Sequence, residues 1–152
     1  MAMTMKGAVA LPAEREVVWA KLNDPEVLKA CIPGCQSLDK TSDTSFTAVV
    51  KLKVGPVGAT FKGSVELTDL DPPNSYRISG QGEGGVAGFA KGGARVELTD
   101  PPEGEPGCTL NYDVEANVGG KIAQLGARLI DGVAKKTADQ FFANFAAAVR
   151  AG

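Results

Sequence analysis

The sequence contains no histidine among its 152 residues. Histidine is the usual general base at neutral pH and the commonest metal ligand, so its absence removes the simplest route to either kind of site. Catalytic triads that pair serine or cysteine with histidine are excluded outright. The composition therefore disfavours the commonest hydrolytic enzymes before any motif is considered.

Clustered positive charge and long apolar runs are also missing. The 16 Lys and Arg residues are balanced by 18 Asp and Glu residues, for a net charge of −2, and no segment gathers the basic cluster that binding to nucleic acid requires. No run approaches the roughly 18 apolar residues of a membrane span, and residues 1–6 lack the apolar stretch of a signal peptide. We therefore expect a cytoplasmic protein with no nucleic-acid partner.

Cysteine is scarce, and its spacing matches no common metal or redox site. Three residues separate Cys31 from Cys35, where a redox motif has two, and Cys108 is the only further soft ligand. Structural zinc takes four ligands, and an odd number of cysteines argues against a secreted disulfide framework. We predict three free thiols, no metal site and no cofactor.

A series of segments in which apolar and polar residues alternate dominates the first three quarters of the chain. This period of two is typical of strands with one buried and one wet face. Two short helical patterns interrupt the series after the first strand, one over 13–22 and one beginning at the N-cap Asp24 with Pro25 in the first helical position. The alternating segments, about six or seven in number, include those that start at Met5, Phe46, Phe61, Tyr76, Ala94 and Cys108, the last after a Pro/Gly/Glu-rich turn at 100–107.

The last segment, 122–149, changes from a period of 2 to a period of about 3.6. We predict a long helix over about 120–149, which at about 1.5 Å per residue could cross a whole sheet. Strands followed by one long helix predict a single α+β domain over 1–152, with the helix on one face of the sheet. The stripe along this helix consists of Ile122, Leu125, Leu129, Val133, Thr137, Phe141, Phe145 and Ala148.

The glycine-rich segment 80–93 begins with a match to the dinucleotide pattern G-x-G-x-x-G. That pattern binds a pyrophosphate only where a helix N-terminus follows, and here an extended pattern resumes. Because glycine permits sharp bends and close backbone approaches, we interpret the segment as a curved edge of the sheet at the mouth of a cavity.

The aromatic residues, taken together with the long helix, suggest a ligand cavity. Large aromatics over small residues (Gly63, Gly126, Gly132, Ala134 and Ala138) form either a tight helix–sheet contact or an apolar pocket, and the sequence leaves both open. No pair of carboxylates lies where a buried acid and base would be needed, so no catalytic residue is predicted. The predicted cavity lining consists of Trp19, Phe46, Phe61, Tyr76, Phe89, Leu125, Leu129, Val133 and Phe141.

Several segments carry a resemblance to a known family. They are 30–35 (ACIPGC), 51–69 (KLKVGPVGATFKGSVELTD), the glycine-rich stretch 82–93, 117–126 (NVGGKIAQLG) and 140–142 near the end of the long helix. Over about 3–149 the chain resembles the family of the G-type carbon monoxide dehydrogenase accessory subunits, within the helix-grip (START/Bet v 1-like) superfamily that also includes polyketide aromatases. The resemblance implies a strongly curved antiparallel sheet of about six or seven strands wrapped on the long C-terminal helix, with two short helices after the first strand.

The same resemblance implies an accessory protein rather than an enzyme. It would serve a carbon monoxide dehydrogenase-type molybdenum hydroxylase and bind an apolar small molecule, a quinone or a similar compound, in an internal cavity. A peripheral contact with the inner face of the membrane and a homodimer stay open. The alternatives are an assembly or membrane-recruitment factor with a filled core, and an enzyme of the cyclase or hydrolase kind, since related folds host such chemistry.

Overall fold

The computed structural model describes residues 1–101 and 106–151, so residues 102–105 of the predicted turn lie outside the described residues. Two short 3₁₀ segments, Gly85–Ala87 and Lys121–Leu125, accompany the strands and helices. The strands and helices are, in chain order, β1 (Ala2–Leu11), α1 (Arg15–Leu22), α2 (Pro25–Cys31), β2 (Cys35–Lys40), β3 (Ser45–Val54), β4 (Val57–Asp71), β5 (Ser75–Glu83), β6 (Phe89–Thr99), β7 (Cys108–Gly119) and α3 (Ala127–Ala151).

The seven strands form one curved antiparallel sheet in the order β1-β7-β6-β5-β4-β3-β2. Strands β2 to β7 each pair with the next strand in the chain, and β1 returns to pair with β7 along its whole length. The sheet and the two short helices confirm the predicted α+β helix-grip architecture. The edges are β1 and β2, so the glycine-rich segment 80–93 lies in interior strands and their connection, where the sequence had predicted an edge.

The glycines of this segment permit backbones to approach each other more closely than side chains would allow. A Cβ atom on Gly92 would overlap the carbonyl oxygen of Glu115 on the neighbouring strand. A Cβ atom on Gly88 would overlap the carbonyl oxygen of Gly119, and the φ of 121° at Gly88 is one that side chains disfavour. Glycine therefore closes the β5–β6 connection onto the end of β7.

The two short helices follow from local signals that the sequence shows. The carboxylate of Asp24 accepts a hydrogen bond of 3.0 Å from the backbone N–H of Glu26, and Pro25 occupies the first turn of α2. Helix α1 buries Val18 completely and Leu22 almost completely. Both helices thereby cover one end of the sheet.

The long helix begins later than predicted. Lys121–Leu125 is a 3₁₀ turn, and Gly126, with φ of 96°, separates it from α3, which starts at Ala127. The break changes which residues face the sheet, because Ile130 is 7% exposed whereas Leu129, on the predicted stripe, is 37% exposed. Among the described residues no helix, α3 included, combines the length and apolar character needed to span a membrane.

The buried side chains fall into two separate clusters. The first, here the Phe145 cluster, joins α1, α2 and the C-terminal half of α3 to the sheet and includes Leu11, Tyr76 and Leu110. The second, here the Ile130 cluster, joins the start of α3 and the 3₁₀ turn to the other end of the sheet; its members are Val54, Ala87, Val118, Ile122 and Ile130. The core is therefore packed at both ends of α3.

Replacing Phe145 with alanine tests the larger cluster. The side chain is fully buried, and its ring stacks on that of Phe141 at 5.7 Å between centroids. Because the truncation leaves a void in a packed region, we expect Phe145→Ala to lower the free energy of unfolding by about 3–5 kcal/mol in urea denaturation.

The matched control is Phe89→Ala, since Phe89 is 48% exposed. This variant should lose about 1 kcal/mol or less. Equal losses in the two variants would contradict the assignment of Phe145 to the core.

Candidate functional site: an internal apolar cavity

A cavity of about 710 Å³ lies between the sheet and α3. All seven strands and all three helices contribute to its wall, from Met5 on β1 to Phe142 on α3. No residue in the described wall carries a charge, and most of the wall is aliphatic or aromatic. Its volume falls within the range of about 300–1,000 Å³ that is typical of small-molecule sites.

The cavity exists because small residues face each other across the middle of the interior. Ala134, Thr137 and Ala138 project from α3, and Gly63 and Gly82 lie on the opposing strands β4 and β5. These side chains are too short to meet, whereas larger ones fill the interior in the clusters at either end of α3. Of the small residues singled out in the sequence, Gly63, Ala134 and Ala138 line this space.

The other two small residues do not line the cavity. Gly132 is on the exposed side of α3, and Gly126 forms the break before that helix. The helical stripe predicted from the sequence was continuous across this break, so it placed both residues too near the sheet.

Five of the nine residues predicted to line a cavity do so. Phe46, Phe61, Tyr76, Val133 and Phe141 all border this space. The first three lie on inward positions of the sheet, where the period of two identifies the buried face. Whether they contact a ligand remains a prediction.

The other four predicted residues lie outside the lining. Trp19 packs edge-on against the ring of Tyr76 at 5.2 Å between centroids. Phe89 lies against Gly119 and is 48% exposed, while Leu129 lies over Gly55 and Leu125 packs against the Ile130 cluster. We therefore leave these four out of the proposed site.

The sequence reasoning missed Tyr112 and Phe142, which stack on each other at 5.2 Å between centroids and both line the cavity. Tyr112 alternates with Leu110 and Val114 along β7, so the period of two could have identified it. Phe142 follows Phe141 in the chain, and a stripe one residue wide did not include both.

The only polar side-chain atoms of the described wall are three hydroxyls, on Tyr76, Tyr112 and Thr137. Tyr76 is 5% exposed, and burial raises the pKa of its phenol well above the usual range. The described wall therefore contains no group that would change charge near neutral pH. It can solvate an apolar molecule and donate hydrogen bonds to it.

A second concavity, of about 900 Å³, lies on the outer face of the sheet. Polar side chains such as Ser64, Ser79 and Gln81 border it, and Arg77 forms an exposed ion pair of 3.6 Å with Glu115 across it. An exposed pair of this kind contributes little to stability. We assign no ligand to this face.

The three cysteines are free thiols in separate environments. Cys31 and Cys108 are buried and Cys35 is half-buried, and in each case burial raises the pKa of the thiol. Lys29 partly offsets this effect at Cys35, whose Sγ donates to the carbonyl oxygen of Ser37 at 3.3 Å. Within residues 1–101 and 106–151 no three Cys, Asp or Glu side chains come together as a metal site would require.

Comparison with known proteins gives one family match. The model of the CoxG family, the G-type subunits of carbon monoxide dehydrogenase, matches residues 7–150. A conserved protein from Geobacillus kaustophilus is similar in structure, with 32% sequence identity and a TM-score of 0.87 over 97% of this chain and 95% of that chain. A comparison with curated proteins finds no match.

Two more distant structures share the fold. The Zhui aromatase/cyclase from Streptomyces sp. R1128 has 10% identity and a TM-score of 0.68, covering 99% of this chain and 94% of its own. Ara h 8.0201 has 14% identity and a TM-score of 0.68, with 100% of both chains covered. At such low identity these likenesses establish the helix-grip fold and nothing about chemistry.

The environments of the thiols predict a clear order of reaction with an alkylating reagent at pH 8. Because the thiolate is the reactive form and Cys35 is the most accessible of the three, we expect Cys35 to be modified first, with Cys31 and Cys108 protected until the protein unfolds. Peptide mass spectrometry at successive times measures this order. Cys35→Ser should abolish the early modification, and rapid labelling of Cys31 or Cys108 in the folded protein would contradict the structure.

Proposed function

This chain belongs to the CoxG family of carbon monoxide dehydrogenase subunits, and from this membership we propose that it is an accessory protein of a carbon monoxide dehydrogenase-type molybdenum hydroxylase. In this proposal it holds an apolar small molecule inside the helix-grip domain. The observation that carries the proposal is the cavity of about 710 Å³ with no charged residue in its described wall.

A quinone is the ligand class that we propose. Its ring and isoprenoid chain are apolar, and the wall offers both aliphatic surface and the rings of Phe46, Phe61 and Phe141. An apolar cavity can stay dry and accept an apolar guest, because water finds few partners there. A carrier of this kind would connect the dehydrogenase to the quinones of the membrane.

The chemistry of the wall supports a binding role over catalysis. General acid–base catalysis needs a group with a pKa near the working pH inside the site. The sequence has no histidine, and the described wall contains no Asp, Glu, Lys or Cys. Two aromatase/cyclase likenesses in fold do not supply the missing groups.

We further propose that the protein works in the cytoplasm, with a peripheral contact at the inner face of the membrane. Val86 is 92% exposed in the β5–β6 connection, and Phe89 beside it is 48% exposed. Exposed apolar side chains placed together are typical of contact surfaces. The same observation favours the second candidate function, a recruitment factor that binds the dehydrogenase or the membrane without a ligand.

Native mass spectrometry with menaquinone and ubiquinone tests the carrier role. We expect the wild-type protein to retain one quinone, and Ala138→Phe to weaken retention by about tenfold or more, because the new ring occupies the middle of the cavity. The matched control is Ala143→Phe, on the exposed side of α3, which should bind as the wild type does.

The same experiment separates the two candidate functions. Absence of an adduct with either quinone, or equal retention by Ala138→Phe and the wild type, would rule out the proposed carrier. If the purified protein then still bound the purified dehydrogenase complex in stoichiometric amounts, and Val86→Asp abolished that binding, the recruitment role would stand alone.

A further inference from the structure

The hydroxyl of Tyr76 is the polar group of the cavity that the fold itself leaves without a use. Tyr76 lies near the start of β5 on the inward face of the sheet, and it is 5% exposed. Its ring is held by the edge-to-face contact with Trp19 at 5.2 Å between centroids. The side chain is therefore fixed within the Phe145 cluster while also forming part of the cavity wall.

No hydrogen bond of this hydroxyl occurs among residues 1–101 and 106–151. Within the same residues, every side-chain nitrogen or oxygen that is completely enclosed does have a partner. The unpartnered oxygen of Tyr76 must therefore border open space, and the cavity is the space that Tyr76 lines. A buried hydroxyl without a partner is costly, so such groups are rare in folded proteins.

The hydroxyl is a donor under physiological conditions. Burial raises the pKa of the Tyr76 phenol above its usual range, which keeps the proton on the oxygen. A neutral phenol donates one hydrogen bond and accepts weakly. An acceptor oxygen on a bound molecule would satisfy it.

Tyr112 differs from Tyr76 although it lines the same cavity. The ring of Tyr112 stacks on Phe142, and its hydroxyl lies over Gly7, where a Cβ atom would be 2.6 Å from the oxygen. Gly7 is on β1, at the edge of the sheet. The Tyr112 hydroxyl is thus directed along the wall toward the edge strand, and it provides a matched comparison for Tyr76.

We propose that Tyr76 is the specificity-determining residue of the cavity, and that its hydroxyl donates a hydrogen bond to a carbonyl oxygen on an otherwise apolar ring ligand. The proposal rests on the carrier function described above and specifies what the carrier selects. Since Tyr76 belongs to the Phe145 cluster, the oxygenated end of the ligand lies at that end of the cavity, and the apolar remainder extends toward Ile130. A few placed polar groups in an apolar pocket fix orientation and specificity in this way.

The test compares two ring compounds that differ in their oxygens, 2-methyl-1,4-naphthoquinone and 2-methylnaphthalene, on three proteins. The proteins are the wild type, Tyr76→Phe and the control Tyr112→Phe, and dissociation constants are measured by calorimetric titration. We expect Tyr76→Phe to weaken quinone binding by about fivefold, the size of one net hydrogen bond, and to leave binding of the hydrocarbon within about twofold. Tyr112→Phe should leave the ratio of the two constants unchanged.

The infrared carbonyl band of the bound quinone provides a second readout. A hydrogen bond lowers the stretching frequency of the carbonyl that accepts it, so we expect a lowered band in the wild type and in Tyr112→Phe, and its loss in Tyr76→Phe.

The outcomes distinguish this inference from the carrier function. If the wild type binds both compounds and Tyr76→Phe changes neither the ratio nor the band, the carrier stands and the role of Tyr76 is wrong. If Tyr76→Phe loses both compounds equally, the ring acts only in packing, which also overturns the inference. If the wild type binds neither compound, the carrier function fails, and the inference fails with it.

Discussion

The structure depends on the graded size of the side chains along the inner face of α3. Large residues occupy the two ends of this face, Ile130 near the start and Phe145 near the end, and both are buried against the sheet. Between them stand Ala134, Thr137 and Ala138, which leave space. The helix is thus fixed at its ends while its middle is held away from the strands, and the cavity is a consequence of that arrangement.

An empty apolar space is a cost that the rest of the fold must offset. The atoms that border a void lose the dispersion contacts they would make in a filled core. Dense packing elsewhere compensates, since Leu11, Leu98 and Leu110 are each 2% exposed or less. A ligand of matching shape would restore the missing contacts, so binding and stability are linked in this protein.

The fold could be predicted from the sequence because its signals are local. Alternation along the chain identified the inner face of each strand, and Phe46, Phe61 and Tyr76 consequently fell on the cavity wall. The N-cap Asp24 and Pro25 likewise predicted the start of α2. These patterns require no knowledge of the distant partner, only of the geometry of a strand or a helix.

The parts of the site that could not be predicted depend on where regular structure is interrupted. The φ of 96° at Gly126 ends the 3₁₀ turn and resets the helical phase, which moves Leu129 off the inner face. The turn Gly85–Ala87 precedes β6 with Phe89 on the outer side, and a short 3₁₀ segment leaves no periodic signal to set the parity of the next strand. The volume of the cavity was beyond sequence reasoning as well, because it depends on how far the sheet curves away from α3.

Diffraction from crystals pressurised with xenon tests the central claim most directly. Xenon enters apolar cavities without needing a hydrogen-bonding partner. The account predicts xenon between α3 and the sheet, in contact with Ala134 or Ala138 on one side and Gly63 or Gly82 on the other. Side chains closed over that space, with no xenon in it, would contradict the account.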